Sequence, residues 1–111
     1  MHRTLIVARL EPGRSHDVAQ VFAESDRTEL PHLVGVSARS LFTFHDLYLH
    51  LIESDGDPTP ALGRVREHPL FTDVSAKLGR YVTAYHPDWH EPKDAMAREF
   101  YHWSSPESAG R

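Results

Sequence analysis

The strongest constraint on the fold is a pair of strand-like segments joined by only two polar residues. Val36–Phe44 and Leu47–Glu53 are rich in aliphatic, aromatic and β-branched residues, and His45-Asp46 lies between them. Two such segments with a two-residue connection predict a β-hairpin. A chain that contains this hairpin must build an antiparallel sheet around it.

The remaining segments predict helices and strands on both sides of the hairpin. Residues 5–10 form a short apolar run typical of a buried strand, and Ser15 can cap a helix that runs to about Glu29. Leu30-Pro31 is expected to end that helix, because the residue before a proline is pushed out of helical geometry. Further along, the sequence predicts helical segments at about 59–67 and 69–81, an irregular stretch at 82–94 and a final aromatic strand at 99–103.

The resulting order of elements, β-α-β-β-α-β, is that of a ferredoxin-like α+β sandwich. Its single antiparallel sheet would carry the helices on one face and leave the other face open. Apolar residues lie on both sides of the predicted strands. We therefore expect a second copy of the chain to cover the open face, which gives a homodimer.

Length and composition exclude several classes of protein. A chain of 111 residues is one domain, which we place at 1–104, with a flexible tail at 105–111. The 12 Lys and Arg are outnumbered by 16 Asp and Glu, which argues against a nucleic-acid surface. There are no cysteines, so disulfides and thiolate sites are excluded. No apolar run approaches the roughly 20 residues of a membrane helix, and we expect a cytoplasmic protein.

The hairpin register predicts a polar pair in an otherwise apolar wall. In that register Arg39 lies opposite Ile52. His50 lies opposite Leu41, which makes it a diagonal neighbour of Arg39 on the same face, with roughly 7–8 Å between their backbones. A slip of one residue would place the two side chains on opposite faces. The prediction therefore depends on the two-residue turn.

Asp26 can complete this cluster from the first helix, where it lies at the edge of the apolar stripe beside Ser25. Such a trio suits enol and aldol chemistry: a histidine exchanges a proton, an arginine stabilises an enolate oxygen, and an aspartate orients either one. Spacing alone favours a plainer interpretation, an ion pair between Arg39 and Asp26 next to a core histidine at position 50.

Three segments carry a resemblance to a known family: residues 22–31 (FAESDRTELP), 39–53 (RSLFTFHDLYLHLIE) and 68–71 (HPLF). They resemble the tetracenomycin-cyclase family of small bacterial aromatic polyketide cyclases, and the likeness extends over about residues 3–104. The resemblance implies a ferredoxin-like fold that dimerises through its sheet into an α+β barrel. It also implies cofactor-free cyclisation and dehydration of a poly-β-ketone by intramolecular aldol chemistry, in antibiotic or spore-pigment biosynthesis.

The resemblance also implies the functional positions, which match Asp26, Arg39 and His50 here. Where the family has a histidine just before that aspartate, this chain has Ser25, a departure that bears on the substrate or on the register of ring closure. We predict that six side chains line the substrate site: Phe22, Ser25, Leu41, Tyr48, Ile52 and Trp89.

No cofactor is expected. His86 and His90 have a spacing suited to one helix face, but Pro87 between them disfavours a helix there, so we predict no metal site. The expected partners are an aromatic polyketide intermediate and a second copy, with components of a type II polyketide synthase as further candidates. Three alternatives stay open: a cofactor-free or haem-linked monooxygenase on the same fold, a non-catalytic protein that holds a polyketide for its synthase, and a dimeric domain without a pocket.

Overall fold

The computed structural model describes residues 1–90 and 92–106. An antiparallel sheet forms its centre, with five strands: β1 (His2–Leu10), β2 (Val36–Phe44), β3 (Leu47–Ser54), β4 (Val82–Thr83) and β5 (Met96–Ala97). The long strands lie in the order β2-β3-β1, and both short strands pair with the remaining edge of β1. This confirms the predicted α+β class and its antiparallel sheet.

In the described part of the chain, four helices accompany the sheet: α1 (Ser15–Ser25), α2 (Leu30–Val34), α3 (Thr59–Val65) and α4 (Pro69–Leu78). A short 3₁₀ turn, Pro92–Ala95, precedes β5. Within the described residues, no helix has the length and hydropathy to cross a membrane.

The hairpin has the predicted turn and register. His45 adopts a positive φ of 54°, a conformation that a two-residue hairpin turn requires. Arg39 lies opposite Ile52 and Leu41 lies opposite His50, as predicted. Because side chains alternate between the faces of a strand, this register fixes which residues of β2 and β3 point toward the helices.

The core lies between one face of the sheet and the helices. One buried group joins the sheet to α1 and contains Ala8, Leu10, Val18, Phe22 and Tyr48. A second group joins the helices to one another and contains Leu30, Val34, Ala61, Val65 and Val74. The two groups leave a space between them, which is described below.

The end of α1 differs from the prediction. The helix begins with Ser15 as its first residue rather than as its cap, and it ends at Ser25 instead of about Glu29. The hydroxyl of Thr28 donates to the carbonyl of Ser25 and accepts the backbone N–H of Leu30. Leu30-Pro31 then begins α2 rather than ending α1, because a proline in the first turn of a helix loses no hydrogen bond. Asp26 consequently sits just past the end of α1.

The predicted final strand at 99–103 is wrong. The structure places a two-residue strand at Met96–Ala97, and the aromatic residues that follow have no regular structure. Phe100 is 91% exposed, and Tyr101 and Trp103 are also exposed. Strand propensity alone does not make a strand without a neighbouring edge to pair with. Helices α3 and α4 end earlier than predicted, and residues 107–111 of the predicted tail lie outside the described residues.

The other face of the sheet is also apolar. Side chains that point away from the helices include the three-strand row Phe42, Leu49 and Val7 and the neighbouring pair Leu51 and Leu5, which Ser40 continues on β2. Phe42 and Phe44 on the edge strand β2 are 55% and 62% exposed. The helices cover only the opposite face, so these rows are open in a single copy.

Candidate active site

A cavity of about 270 Å³ lies between the inner face of the sheet and the helices. Most of its wall is apolar, and its polar side chains are Ser25, Arg39, Tyr48, His50 and Ser75. A mostly apolar cavity with a few converging polar groups is typical of a small-molecule site.

Arg39 organises these polar groups. Its Nε donates to both carboxylate oxygens of Asp26, at 3.2 and 3.1 Å, and its Nη2 donates to Oδ1 at 2.9 Å. Its Nη1 lies 2.9 Å from Nε2 of His50. The guanidinium also lies over the ring of Phe22, with Cζ 4.7 Å from the ring centroid. Several contacts therefore fix its position, and its side chain is only 14% exposed.

His50 is a buried neutral imidazole whose tautomer follows from its partners. An arginine has only donors, so Nε2 of His50 must accept the hydrogen bond from Arg39 and cannot carry a proton. The proton of the neutral ring is then on Nδ1, which lies 3.0 Å from the hydroxyl oxygen of Tyr48. Nδ1 therefore donates to Tyr48.

The same surroundings shift two pKa values. Burial, and then the charge of Arg39, lower the pKa of His50 from 6.5 to about 3, because both disfavour the imidazolium. Burial raises the pKa of Tyr48 above its usual value, and the charge of Arg39 opposes this only in part. At neutral pH both side chains are uncharged, and Arg39 supplies the positive charge of the cavity wall.

Asp26 contacts Arg39 but does not itself line the cavity. Its side chain is 39% exposed, and it accepts hydrogen bonds from the Nε and Nη2 edge of Arg39, whereas His50 contacts Nη1. The structure therefore brings the three predicted catalytic residues together, but only Arg39 and His50 line the cavity. This arrangement suits Asp26 to orienting Arg39.

Four of the six predicted lining residues do line the cavity: Phe22, Ser25, Tyr48 and Ile52. Leu41 shares their face of the sheet but lies beside the cavity, in a surface depression next to α1. Trp89 does not line it. Its ring lies 5.7 Å from that of Tyr85, in the loop that follows β4.

The sequence prediction missed the contribution of the later helices. Helix α4 supplies Phe71, Val74, Ser75 and Leu78, and α2 supplies Leu30, Pro31 and Val34. The α4 residues are spaced as on one face of a helix, so their periodicity could have identified them as inward-facing. The pattern alone could not show that they face a cavity rather than solid core.

No metal centre accompanies the cavity in the part of the chain that the structure describes, where no group of three or more His, Cys, Asp or Glu could hold an ion. The ring of His86 instead accepts the backbone N–H of Asp88 within a turn.

Residues 2–104 match the sequence model for polyketide synthesis cyclases. The chain belongs to the polyketide synthesis cyclase family. It is 50% identical to tetracenomycin F2 cyclase of Streptomyces glaucescens over 107 residues, which cover 96% of this chain and 98% of that one. It is also 64% identical over 105 residues to an uncharacterized protein of Streptomyces coelicolor, covering 93% and 95% of the two chains. The predicted family is thus confirmed, and the chain is a homologue of a polyketide cyclase enzyme.

Solved structures agree with this assignment. The structure of tetracenomycin F2 cyclase, described as a type-II polyketide cyclase, superposes with a TM-score of 0.90 at 49% identity, covering 96% of this chain and all of that one. A Chloroflexus aurantiacus protein assigned to the antibiotic biosynthesis monooxygenases superposes with a TM-score of 0.56 at 12% identity, covering 92% and 95%. At that identity the second likeness concerns the fold alone.

Proposed function

We propose that this cyclase closes a ring in a poly-β-ketone intermediate by cofactor-free intramolecular aldol addition and dehydration. The observation that carries the proposal is an arginine, held by an aspartate and a neutral histidine, in the wall of an otherwise apolar cavity. An aromatic polyketide needs apolar surface along most of its length and a cation only where its oxygen atoms gain charge.

The chemistry balances without an oxidant. An enol carbon of the chain attacks a ketone carbon, and a carbon–carbon bond forms. The enol oxygen loses its proton and becomes a ketone, the attacked ketone oxygen gains a proton, and the new hydroxyl then leaves as water together with the proton that remains on the attacking carbon. Carbon positions between two ketones are already acidic, so holding the chain in one folded conformation supplies much of the rate.

Arg39 is the group proposed to stabilise the developing negative charge. Of its five N–H groups, three are used by Asp26 and His50 in the structure. The two that remain, one on each terminal nitrogen, can donate to an enolate oxygen in the cavity. Asp26 holds the guanidinium in place from outside.

The base role predicted for His50 stays a prediction, and the geometry favours a different one. Its Nε2 is occupied by Arg39, and a pKa of about 3 makes the imidazole a weak acceptor of a substrate proton. As a neutral ring between Arg39 and Tyr48, His50 holds both side chains in position.

We also propose that the active form is a homodimer joined through the open sheet face. Apolar side chains of β1, β2 and β3 lie together on that face, and exposed aromatic side chains at 100, 101 and 103 follow β5. Exposed apolar surface of this kind usually marks an interface. Pairing the two open faces would produce the barrel that the family resemblance implies.

Product analysis tests the proposed activity. The cyclase is co-expressed with a minimal type II polyketide synthase under isotopically labelled oxygen gas. The products are separated, and their masses are measured by mass spectrometry. We expect a new product that has lost water relative to the open chain and contains no label. A matched control is Arg14→Gln, because Arg14 pairs with Glu11 and Asp17 on the surface, away from the cavity.

Two results would count against this proposal. Incorporation of labelled oxygen would identify a monooxygenase. An unchanged product distribution in the presence of the cyclase, with tight binding of the polyketide, would identify a non-catalytic carrier.

A further inference from the structure

Among the described residues, the hydroxyl proton of Tyr48 in the cavity wall has no hydrogen-bond acceptor. Tyr48 is only 5% exposed, and its hydroxyl oxygen accepts the Nδ1–H of His50 at 3.0 Å. That hydrogen bond uses the oxygen and leaves the proton of the hydroxyl free to donate elsewhere. Within residues 1–90 and 92–106, the structure gives this hydroxyl no other hydrogen-bond partner.

The direction of the hydrogen bond between Tyr48 and His50 follows from Arg39 rather than from Tyr48 itself. If Nε2 of His50 carried a proton, two donors would face each other across the 2.9 Å between it and Nη1 of Arg39. Nε2 is therefore bare, Nδ1 carries the proton, and the hydroxyl of Tyr48 cannot donate to His50. Arg39 thus determines, through His50, that Tyr48 is a donor to something else.

Tyr48 lines the cavity together with Arg39 and Ser25, and its hydroxyl lies 3.0 Å from His50, which is also part of the cavity wall. A buried donor without an acceptor destabilises the fold, and a donor in a cavity wall finds its acceptor in a bound ligand or in ordered water. The substrates proposed for the cyclase are carbon chains that carry many ketone and enol oxygens, and these oxygens accept hydrogen bonds.

We infer that Tyr48 is a catalytic residue: its hydroxyl donates a hydrogen bond to the ketone oxygen of the polyketide that gains negative charge as the ring closes. His50 is a positioning residue that orients this hydroxyl by donating to its oxygen. The inference rests on the proposed cyclase function and adds a second donor to the charge of Arg39. No covalent bond to the protein forms, and Tyr48 keeps its proton because burial raises its pKa.

The direct test is Tyr48→Phe, which removes the hydroxyl and keeps the ring. We expect kcat to fall by about 10²–10³, the usual effect of losing one donor to a developing oxyanion, while KM changes little. The matched control is Tyr81→Phe, which also removes one hydroxyl. Tyr81 packs against the core but does not line the cavity, so its kcat should match the wild type.

Two variants at position 50 test the positioning role independently and serve if Tyr48→Phe does not fold. An asparagine amide lies near the place of Nδ1, so His50→Asn keeps a donor for Tyr48. A glutamine amide lies near the place of Nε2, so His50→Gln keeps an acceptor for Arg39 and loses that donor. We expect His50→Asn to retain kcat within about tenfold of the wild type and His50→Gln to lose about 10²-fold.

The outcomes separate this inference from the proposed function. If the wild type closes no ring, the proposed function fails and the inference fails with it. If the wild type is active and Tyr48→Phe keeps its kcat within about threefold, only the inference is overturned. Equal losses for His50→Asn and His50→Gln, together with loss of the acid limb of the pH profile, would also overturn it and restore His50 as the base.

Discussion

The buried state of His50 predicts a specific pH dependence of stability. Its pKa is about 3 in the folded protein and 6.5 when unperturbed, so between these values the unfolded chain binds a proton that the folded chain does not. Stability therefore falls as the pH is lowered through this window, and the contribution is fully present only above pH 6.5. His50→Gln removes the titrating group.

The size of the effect follows from the size of the shift. One proton of difference changes the free energy of unfolding by at most about 1.4 kcal/mol for each pH unit. Between about pH 6.5 and about pH 4.5, where titration of the unfolded chain is partial at first, His50 should account for about 2 kcal/mol of lost stability. That is a large part of the 5–15 kcal/mol that is typical of a domain.

Urea unfolding at a series of pH values measures this quantity, at one fixed protein concentration because a dimer is expected. The relevant number is the loss of unfolding free energy in the wild type minus the loss in His50→Gln. His16→Gln is the control, because it makes the same substitution at an exposed histidine on α1. Parallel loss of stability in the wild type and His50→Gln would refute the buried, neutral state of the imidazole.

Three further predictions concern Arg39, Asp26 and the open sheet face. Arg39→Gln should lower kcat by about 10²–10³ with a smaller rise in KM, measured by steady-state kinetics. A rise in KM with kcat unchanged would show instead that Arg39 contributes to binding alone. Asp26→Asn, at a half-exposed position, should cost about 1 kcal/mol or less in urea unfolding. Phe42→Ser combined with Phe44→Ser should shift sedimentation from dimer to monomer, and a wild-type monomer at micromolar concentration would contradict the interface.

The local part of the site could be predicted from the sequence because the hairpin determines it. A two-residue turn at His45-Asp46 leaves one register, and that register alone places Arg39 and His50 on one face. The contact with Asp26 depends in addition on α1 packing against that face, which the hairpin does not determine. It is present although the predicted end of α1 was wrong, because Asp26 keeps helical backbone angles and its N–H still donates to the carbonyl of Phe22.

The rest depends on tertiary packing that spacing does not encode. The link from His50 to Tyr48 joins two residues on the same strand, and only the contact with Arg39 decides its direction. Which residues of α4 line the cavity depends on the angle at which that helix crosses the sheet. The aromatic stretch at 99–103 has the composition of a strand, yet whether it pairs depends on which edge is free.

The central claim is that the cationic, mostly apolar cavity closes a polyketide ring. The most direct measurement is the rate of ring closure of a defined open-chain poly-β-ketone by the purified cyclase, followed by the absorbance of the aromatic product. We expect the wild type and Arg14→Gln to accelerate closure equally and Arg39→Gln to be slower by at least about 10². Closure at the uncatalysed rate with the wild type, or at the wild-type rate with Arg39→Gln, would contradict the account.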